Sequence, residues 1–197
     1  MNKVIKKKGV TFGIILGACL SLLTIYSYTI NIGLLVSQWL FLLTFAIVLV
    51  VGILAIASTI KGLEGFITFK QAFSSYFITI VIGFLIHILT ISLVAKIFPE
   101  KEMEVIELRI SSLDKIKEDN LANQAKALET AKSDEEKEQI KESFGKQRTE
   151  IETMKKNSRK SPGFKTYIQA YASYLTIYSI LGLLLSLILR RKRPELN

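Results

Sequence analysis

The hydrophobic pattern divides the chain into long apolar stretches and one long polar segment. Three intervals contain no charged residue: 9–60, 71–95 and 166–189. An α-helix needs about 20 apolar residues to cross the hydrocarbon core of a bilayer. The first interval therefore has room for two membrane spans and the other two have room for one each. The apolar runs are continuous rather than alternating, which excludes β-barrel strands.

The pattern predicts an all-α integral membrane protein with four transmembrane helices, at about residues 9–30, 35–59, 71–98 and 166–189. The first two spans are separated at Asn31-Ile32-Gly33, because asparagine and glycine are typical turn residues. Tyr26, Tyr28 and Trp39 then fall at one membrane–water interface, where amphipathic aromatic rings concentrate.

Basic residues flank the predicted spans on one side of the membrane: Lys3, Lys6, Lys7, Lys8, Lys61, Lys70, Arg190, Arg191, Lys192 and Arg193. Long polar segments hardly count in the positive-inside rule. We therefore expect both termini in the cytoplasm and the polar segment outside it. The net charge of +9 then reflects topology and attraction to anionic lipid. No basic face interleaved with aromatic residues indicates nucleic-acid binding.

The polar segment is predicted to form an extracytoplasmic antiparallel helical hairpin, with arms at about 99–129 and 134–158. It is rich in strong helix formers. Pro99 suits the start of the first arm, and Ser133 with Glu136 forms a capping-box pattern at the start of the second. Ser161-Pro162-Gly163 then ends the second arm. The chain divides into three spans (1–98), the hairpin (99–163), and a fourth span with a basic tail (164–197).

The best apolar stripe of the polar segment lies on the second arm, at Ile140, Phe144, Ile151 and Met154. The first arm has a broken stripe, interrupted by Lys117: Ile106, Ile110, Leu113, Leu121, Ala125 and Leu128. Two such helices bury a narrow coiled-coil seam, which a helix from a second copy or a partner would reinforce. The alternatives are a solvated spacer, or a disordered segment with local helix.

Few side chains inside the predicted spans carry chemistry. His87, near the middle of the third span, is the only ionisable candidate, and it is either a proton relay or substrate contact, or a packing residue bonded to a neighbouring helix. Tyr167, Tyr171, Tyr174 and Tyr178 form one stripe on the fourth span, which either lines a polar cleft, grips lipid or a partner, or packs against neighbouring helices. Gly13 and Gly17, extended by Ser21, form a small-residue face that favours close helix packing.

No catalytic, cofactor or metal site is predicted. One histidine and one cysteine cannot form a histidine-rich metal cluster, and there is no phosphate-binding glycine-rich loop. Ser74, Ser75 or Ser92 could pair with His87, but no nucleophile motif frames them. Leu16-Gly17-Ala18-Cys19 resembles a lipoprotein processing site, yet the apolar run continues well beyond Cys19, so we expect no cleavage.

The chain resembles the bacterial membrane proteins grouped as domain of unknown function 4199. The most specific parts of the resemblance are the segment from Gly65 to Phe73 (GFITFKQAF) and Phe98-Pro99-Glu100. The resemblance implies four spans in a bacterial inner membrane, and it supplies no catalytic residues.

These features favour a non-enzymatic interaction or scaffold protein of the cell envelope, which contacts the lipid bilayer and uses its hairpin to bind a second copy or an extracytoplasmic protein. The alternative is a small transporter or permeation subunit that uses His87 and the tyrosine stripe.

Overall fold

A computed structural model describes residues 2–159 and 163–191. Within them the chain forms six α-helices: α1 (Lys3–Thr29), α2 (Gln38–Gly62), α3 (Phe69–Ile97), α4 (Pro99–Thr130), α5 (Asp134–Ser158) and α6 (Phe164–Leu189). A short 3₁₀ helix, Ile32–Val36, separates α1 from α2. The chain divides into two compact units, one made of residues 1–98 and 163–197 and the other of residues 99–162.

The predicted fold class is confirmed. By length and composition, α1, α2, α3 and α6 are long and apolar enough to cross a membrane. The paired helices α4 and α5 lie between the third and fourth of these in the chain. The tail residues Lys192 and Arg193, and Ser161 and Pro162 of the predicted stop, lie outside the described residues.

The helix α1 begins six residues before the predicted start at residue 9. The side chain of Asn2 accepts a hydrogen bond from the Val4 amide at 2.9 Å and so caps the helix. The lysines at positions 3, 6, 7 and 8 favour helix as strongly as most apolar residues do. A search for uncharged residues locates the membrane span, whereas the helix itself continues into the polar flank.

Contacts between chain segments show which helix ends lie at the same end of the four-helix unit. A Cβ atom built on Gly62, the last residue of α2, would lie 2.6 Å from Val4 Cγ1 near the start of α1. The backbones of Ile67, before α3, and Arg191, after α6, exchange two hydrogen bonds of 3.0 and 2.9 Å. The start of α1, the α2–α3 loop and the end of α6 therefore lie at the same end.

The helices α1 and α3 are parallel and pack closely through three glycines of α1. Cβ atoms built on Gly9, Gly13 and Gly17 would lie 2.8, 2.8 and 2.7 Å from the Cβ atoms of three isoleucines one turn apart on α3: Ile78, Ile82 and Ile86. These distances are shorter than any real side chain tolerates. The glycines thus allow the isoleucines to rest directly on the α1 backbone, as small residues do between membrane helices.

Hydroxyl groups reinforce the contacts of α3 with its neighbours. The Thr79 hydroxyl shares its proton between the Gly9 carbonyl of α1 at 3.3 Å and the Ser75 carbonyl of its own helix at 3.0 Å. Ser21 of α1 shares a hydrogen bond of 2.8 Å with Thr90. Ser75 is bonded to Thr59 of α2 at 2.7 Å. In a hydrocarbon environment such bonds matter because neither lipid nor water offers an alternative partner.

The helices α4 and α5 are antiparallel, and the less exposed side of α4 follows its predicted stripe in part: Ile106 is buried, and Ile110, Leu113 and Leu128 are half-buried. Its less exposed positions recur in alternating steps of three and four residues: Ile110, Leu113, Lys117, Asn120, Gln124 and Ala127. Leu121 and Ala125, which we expected in the stripe, are exposed. Lys117 does not interrupt the seam, because its ammonium group bonds to Glu152 of α5 at 2.6 Å.

The capping box predicted at the start of α5 forms only in part. The Ser133 hydroxyl accepts from the Glu136 amide at 3.1 Å, as expected. The Glu136 carboxylate, however, accepts from the amide of Lys132 at 2.9 Å rather than from Ser133. The Glu136 carboxylate therefore satisfies the amide of the residue before the N-cap, Lys132, instead of the amide of the N-cap residue itself.

The glycine contacts of α1 generate a prediction for stability. Gly13→Ala should lower the melting temperature in detergent, because its Cβ would overlap Ile82 and overpacking costs about 1–3 kcal/mol. Gly145→Ala is the matched control: this glycine lies within α5 with no atom within 4 Å of its ideal Cβ, and alanine there should stabilise the helix by about 0.5–1 kcal/mol.

The double variant Gly13→Ala/Ile82→Ala should have a higher melting temperature than Gly13→Ala, because the smaller side chain at position 82 makes room for the new methyl group. Thermal unfolding of the full chain measures all three variants. A Gly13→Ala protein as stable as the Gly145→Ala protein would show that α1 does not depend on this contact.

Candidate functional site

The four tyrosines of the predicted stripe lie on the side of α6 that is less exposed. Tyr167, Tyr171 and Tyr174 are half-buried, and Tyr178 is 2% exposed. The Tyr171 hydroxyl donates to the Val81 carbonyl of α3 at 3.0 Å. The stripe therefore faces the helix bundle rather than lipid, and one of its hydroxyls bonds directly to the backbone of a neighbouring span.

The structure brings His87 and two of the tyrosines together around Phe84. The Phe84 ring is stacked between Tyr174 and Tyr178, with ring centroids 5.0 Å from each. The His87 ring centroid lies 6.2 Å from that of Tyr174 and 6.4 Å from that of Phe84. His87, Tyr174 and Tyr178 thus belong with Phe84 to one group of rings between α3 and α6, which we call the aromatic cluster (Phe84, His87, Tyr174 and Tyr178).

His87 also bonds to α1. Its Nδ1 atom lies 3.3 Å from the Thr24 hydroxyl, and that hydroxyl donates to the Leu20 carbonyl at 3.0 Å. A hydroxyl has only one proton to donate. The bond to the imidazole is therefore formed when Nδ1 carries the proton and Thr24 accepts it. Such an arrangement suits a histidine that joins two helices at their interface.

Gly13 and Gly17 lie in the α1–α3 contact, and Gly9 extends the row by one turn. Sequence reasoning missed Gly9, because it stands at the edge of the lysine-rich start, where the predicted span begins. The spacing of four residues from Gly9 to Gly13 to Gly17 was a signal that could have found it. Cys19 is half-buried within α1 and has no disulfide partner.

The second candidate site is the hairpin, whose seam contains charged side chains with partners. The Lys155 ammonium group lies 2.5 Å from the Asp114 carboxylate, and only 14% of the Lys155 side chain is exposed. Arg148 donates to the Gln124 side-chain oxygen. The Lys117 ammonium group, through its hydrogen bond, lowers the pKa of the Glu152 carboxyl. Since Lys–Asp and Lys–Glu pairs must meet in one alignment, they fix the register of the two helices.

The predicted interaction stripe of α5 lies partly in the seam with α4 and partly on the surface of the hairpin. Ile151 is 6% exposed, and Ile140 and Phe144 are half-buried. Met154 is 52% exposed. Three of the four residues therefore lie on the seam side of α5, while Met154 presents an apolar side chain to the surface of the hairpin.

Residues 2–159 and 163–191 contain no group of three or more histidine, cysteine, aspartate or glutamate side chains placed to hold a metal ion. Within the same residues His87 is the one imidazole, and its nearest aromatic neighbours are not metal ligands of the usual kind. The arrangement is suited to helix packing and hydrogen bonding.

Comparison with known proteins identifies one family. The family described as "Protein of unknown function (DUF4199)" matches residues 11–191, which is nearly the whole chain. No curated protein and no solved structure matches it. The match begins within α1 and ends just after α6, so it covers all four apolar helices and the hairpin between them.

Proposed function

The chain belongs to this family of proteins of unknown function, and we propose that it is a non-enzymatic multi-pass protein of the bacterial inner membrane that binds a partner through its hairpin. The partner is a helix supplied by a second copy or by another extracytoplasmic protein. The observation that carries the proposal is the incompletely covered apolar row of α5, at Ile140, Phe144 and Met154.

The orientation follows from charge at the two ends of the four-helix unit. The end that gathers the start of α1, the α2–α3 loop and the end of α6 carries eight basic residues among those described: Lys3, Lys6, Lys7, Lys8, Lys61, Lys70, Arg190 and Arg191. Its only acidic residue in the same set is Glu64. By the positive-inside rule this end is cytoplasmic. The chain leaves the unit at the opposite end, so the hairpin is extracytoplasmic.

The hairpin has the properties of a binding module. It is a compact unit of its own, and its polar seam restricts how its two helices align without burying much apolar surface. Removing a phenylalanine or methionine side chain from water contributes roughly 1.5–3 kcal/mol. A third helix laid against α5 would gain part of this free energy from the half-buried Phe144 and the exposed Met154, and it would strengthen a two-helix seam.

Three aspartate variants separate docking from closure of the hairpin. Met154→Asp should dissociate the complex with no loss of helix content, because Met154 is mostly outside the seam. Phe144→Asp should dissociate the complex and also loosen the hairpin. Ile116→Asp is the control, since Ile116 of α4 is 48% exposed, much like Met154, and its substitution should change neither property. Particle mass in mild detergent, circular dichroism and crosslinking in native membranes measure these outcomes.

If the native protein and all three variants are monomeric, and no partner is crosslinked to the native protein in its own membranes, the hairpin is a spacer and the proposal is wrong. Loss of the complex in Ile116→Asp as well would place the contact elsewhere on the hairpin.

The aromatic cluster supports a second candidate function, a small transporter or permeation subunit. It places His87 beside Tyr174 inside the unit of four spans, where ionisable side chains often mark a solute or proton pathway. His87→Ala discriminates between the two functions. Under the interaction proposal the variant retains its complex and complements a deletion strain. Under the transport candidate it folds and retains the complex but fails to complement.

A further inference from the structure

Three buried hydroxyl groups in the four-helix unit differ from all the others. Tyr76 and Ser186 are fully buried and Tyr178 is 2% exposed. Among the described residues, no hydrogen-bond partner is found for any of the three hydroxyl oxygens. The other buried serine and threonine hydroxyls of the described residues, those of Thr24, Ser27, Thr59, Ser75 and Thr79, are all bonded.

The three hydroxyl-bearing residues are gathered around one glycine. Tyr178, Gly182 and Ser186 follow at intervals of four on α6, so they share one face of that helix. The Tyr76 ring of α3 rests against the middle of this row, because a Cβ built on Gly182 would lie 2.3 Å from Tyr76 Cδ1. Tyr178 and Ser186 are thus one turn to either side of the tyrosine ring.

A second glycine receives the opposite edge of the same ring. A Cβ built on Gly52 of α2 would lie 2.4 Å from Tyr76 Cε2. Gly52 and Gly182 together form a slot between α2 and α6 that holds an aromatic ring. Phenylalanine would fill this slot as well as tyrosine and would bury no polar atom. The hydroxyl group is therefore not needed for packing.

Burying a hydroxyl group without a hydrogen bond costs about 1–3 kcal/mol in proteins. Three such groups, one on α3 and two on α6, would be a large penalty for a protein of marginal stability. A buried water molecule typically makes about three hydrogen bonds to groups that otherwise lack partners. Water is also a neutral ligand, which suits a site made of three uncharged hydroxyl groups.

We propose that Tyr76, Tyr178 and Ser186 form an internal hydration site that binds water between α3 and α6. Bound water would connect the two helices by hydrogen bonds. Tyr171 of α6 already makes such a connection directly, through its bond to the Val81 carbonyl of α3. The site is separate from the hairpin and does not depend on the proposed function.

The first test removes the hydroxyls one at a time from the full chain in detergent. Tyr76→Phe, Tyr178→Phe and Ser186→Ala should each lower the melting temperature by about 2–4 °C, the shift expected for one lost hydrogen bond in a chain of this size. The double variant Tyr76→Phe/Tyr178→Phe should lose less than the sum, because both hydroxyls share the same water. An unchanged or raised melting temperature in Tyr76→Phe overturns the proposal.

The second test detects the water itself. Brief X-ray irradiation converts bound water to hydroxyl radicals, and mass spectrometry locates the oxidised side chains. Tyr76 should be oxidised despite its burial, and Ser186→Ala should reduce that oxidation severalfold. Leu20, which is fully buried on α1, a helix that contributes no hydroxyl to the site, is the reference and should remain unmodified. Oxidation of Tyr76 that is absent, or that is unaffected by Ser186→Ala, contradicts a shared hydration site.

Discussion

The close contact between α1 and α3 is the interaction on which the arrangement of the four apolar helices depends. Lipid tails are as apolar as leucine, so the hydrophobic effect does not drive helices together inside a bilayer. Van der Waals contact and hydrogen bonds must do so instead. The Gly9–Gly13–Gly17 row supplies the first, because three isoleucines rest on the α1 backbone. The bonds of Thr79 to Gly9 and of Ser21 to Thr90 supply the second.

The same principle recurs where α6 joins the bundle. Gly52 and Gly182 admit the Tyr76 ring as the glycines of α1 admit isoleucines. The tyrosines of α6 then meet Phe84 and the Val81 carbonyl of α3. The helix α3 is therefore the common partner of α1, α2 and α6. The hairpin is held differently: ion pairs set the register of α4 against α5, and little apolar surface is buried.

Much of this fold could be predicted from the sequence because a bilayer imposes simple requirements. Uncharged intervals located all four spans, and the density of charge located the hairpin. The tyrosine stripe and two of the three glycines were visible as spacings along a single helix. What could not be predicted depends on pairs of helices. Lys117 and Gln124 break the apolar stripe of α4 when that helix is considered alone, but in the structure each has a partner on α5. Likewise nothing in the spacing of Gly52 or Gly182 indicates that one tyrosine lies between them.

The central claim is that the chain crosses the membrane four times and places its single long polar segment outside the cytoplasm. Thiol labelling in intact spheroplasts tests it most directly, in a Cys19→Ser background that removes the native cysteine. A cysteine at Asp134, the first residue of α5, should react with a membrane-impermeant reagent. A cysteine at Glu64, in the α2–α3 loop, should react only after the membrane is permeabilised. The reverse pattern would contradict the orientation and, with it, an extracytoplasmic hairpin.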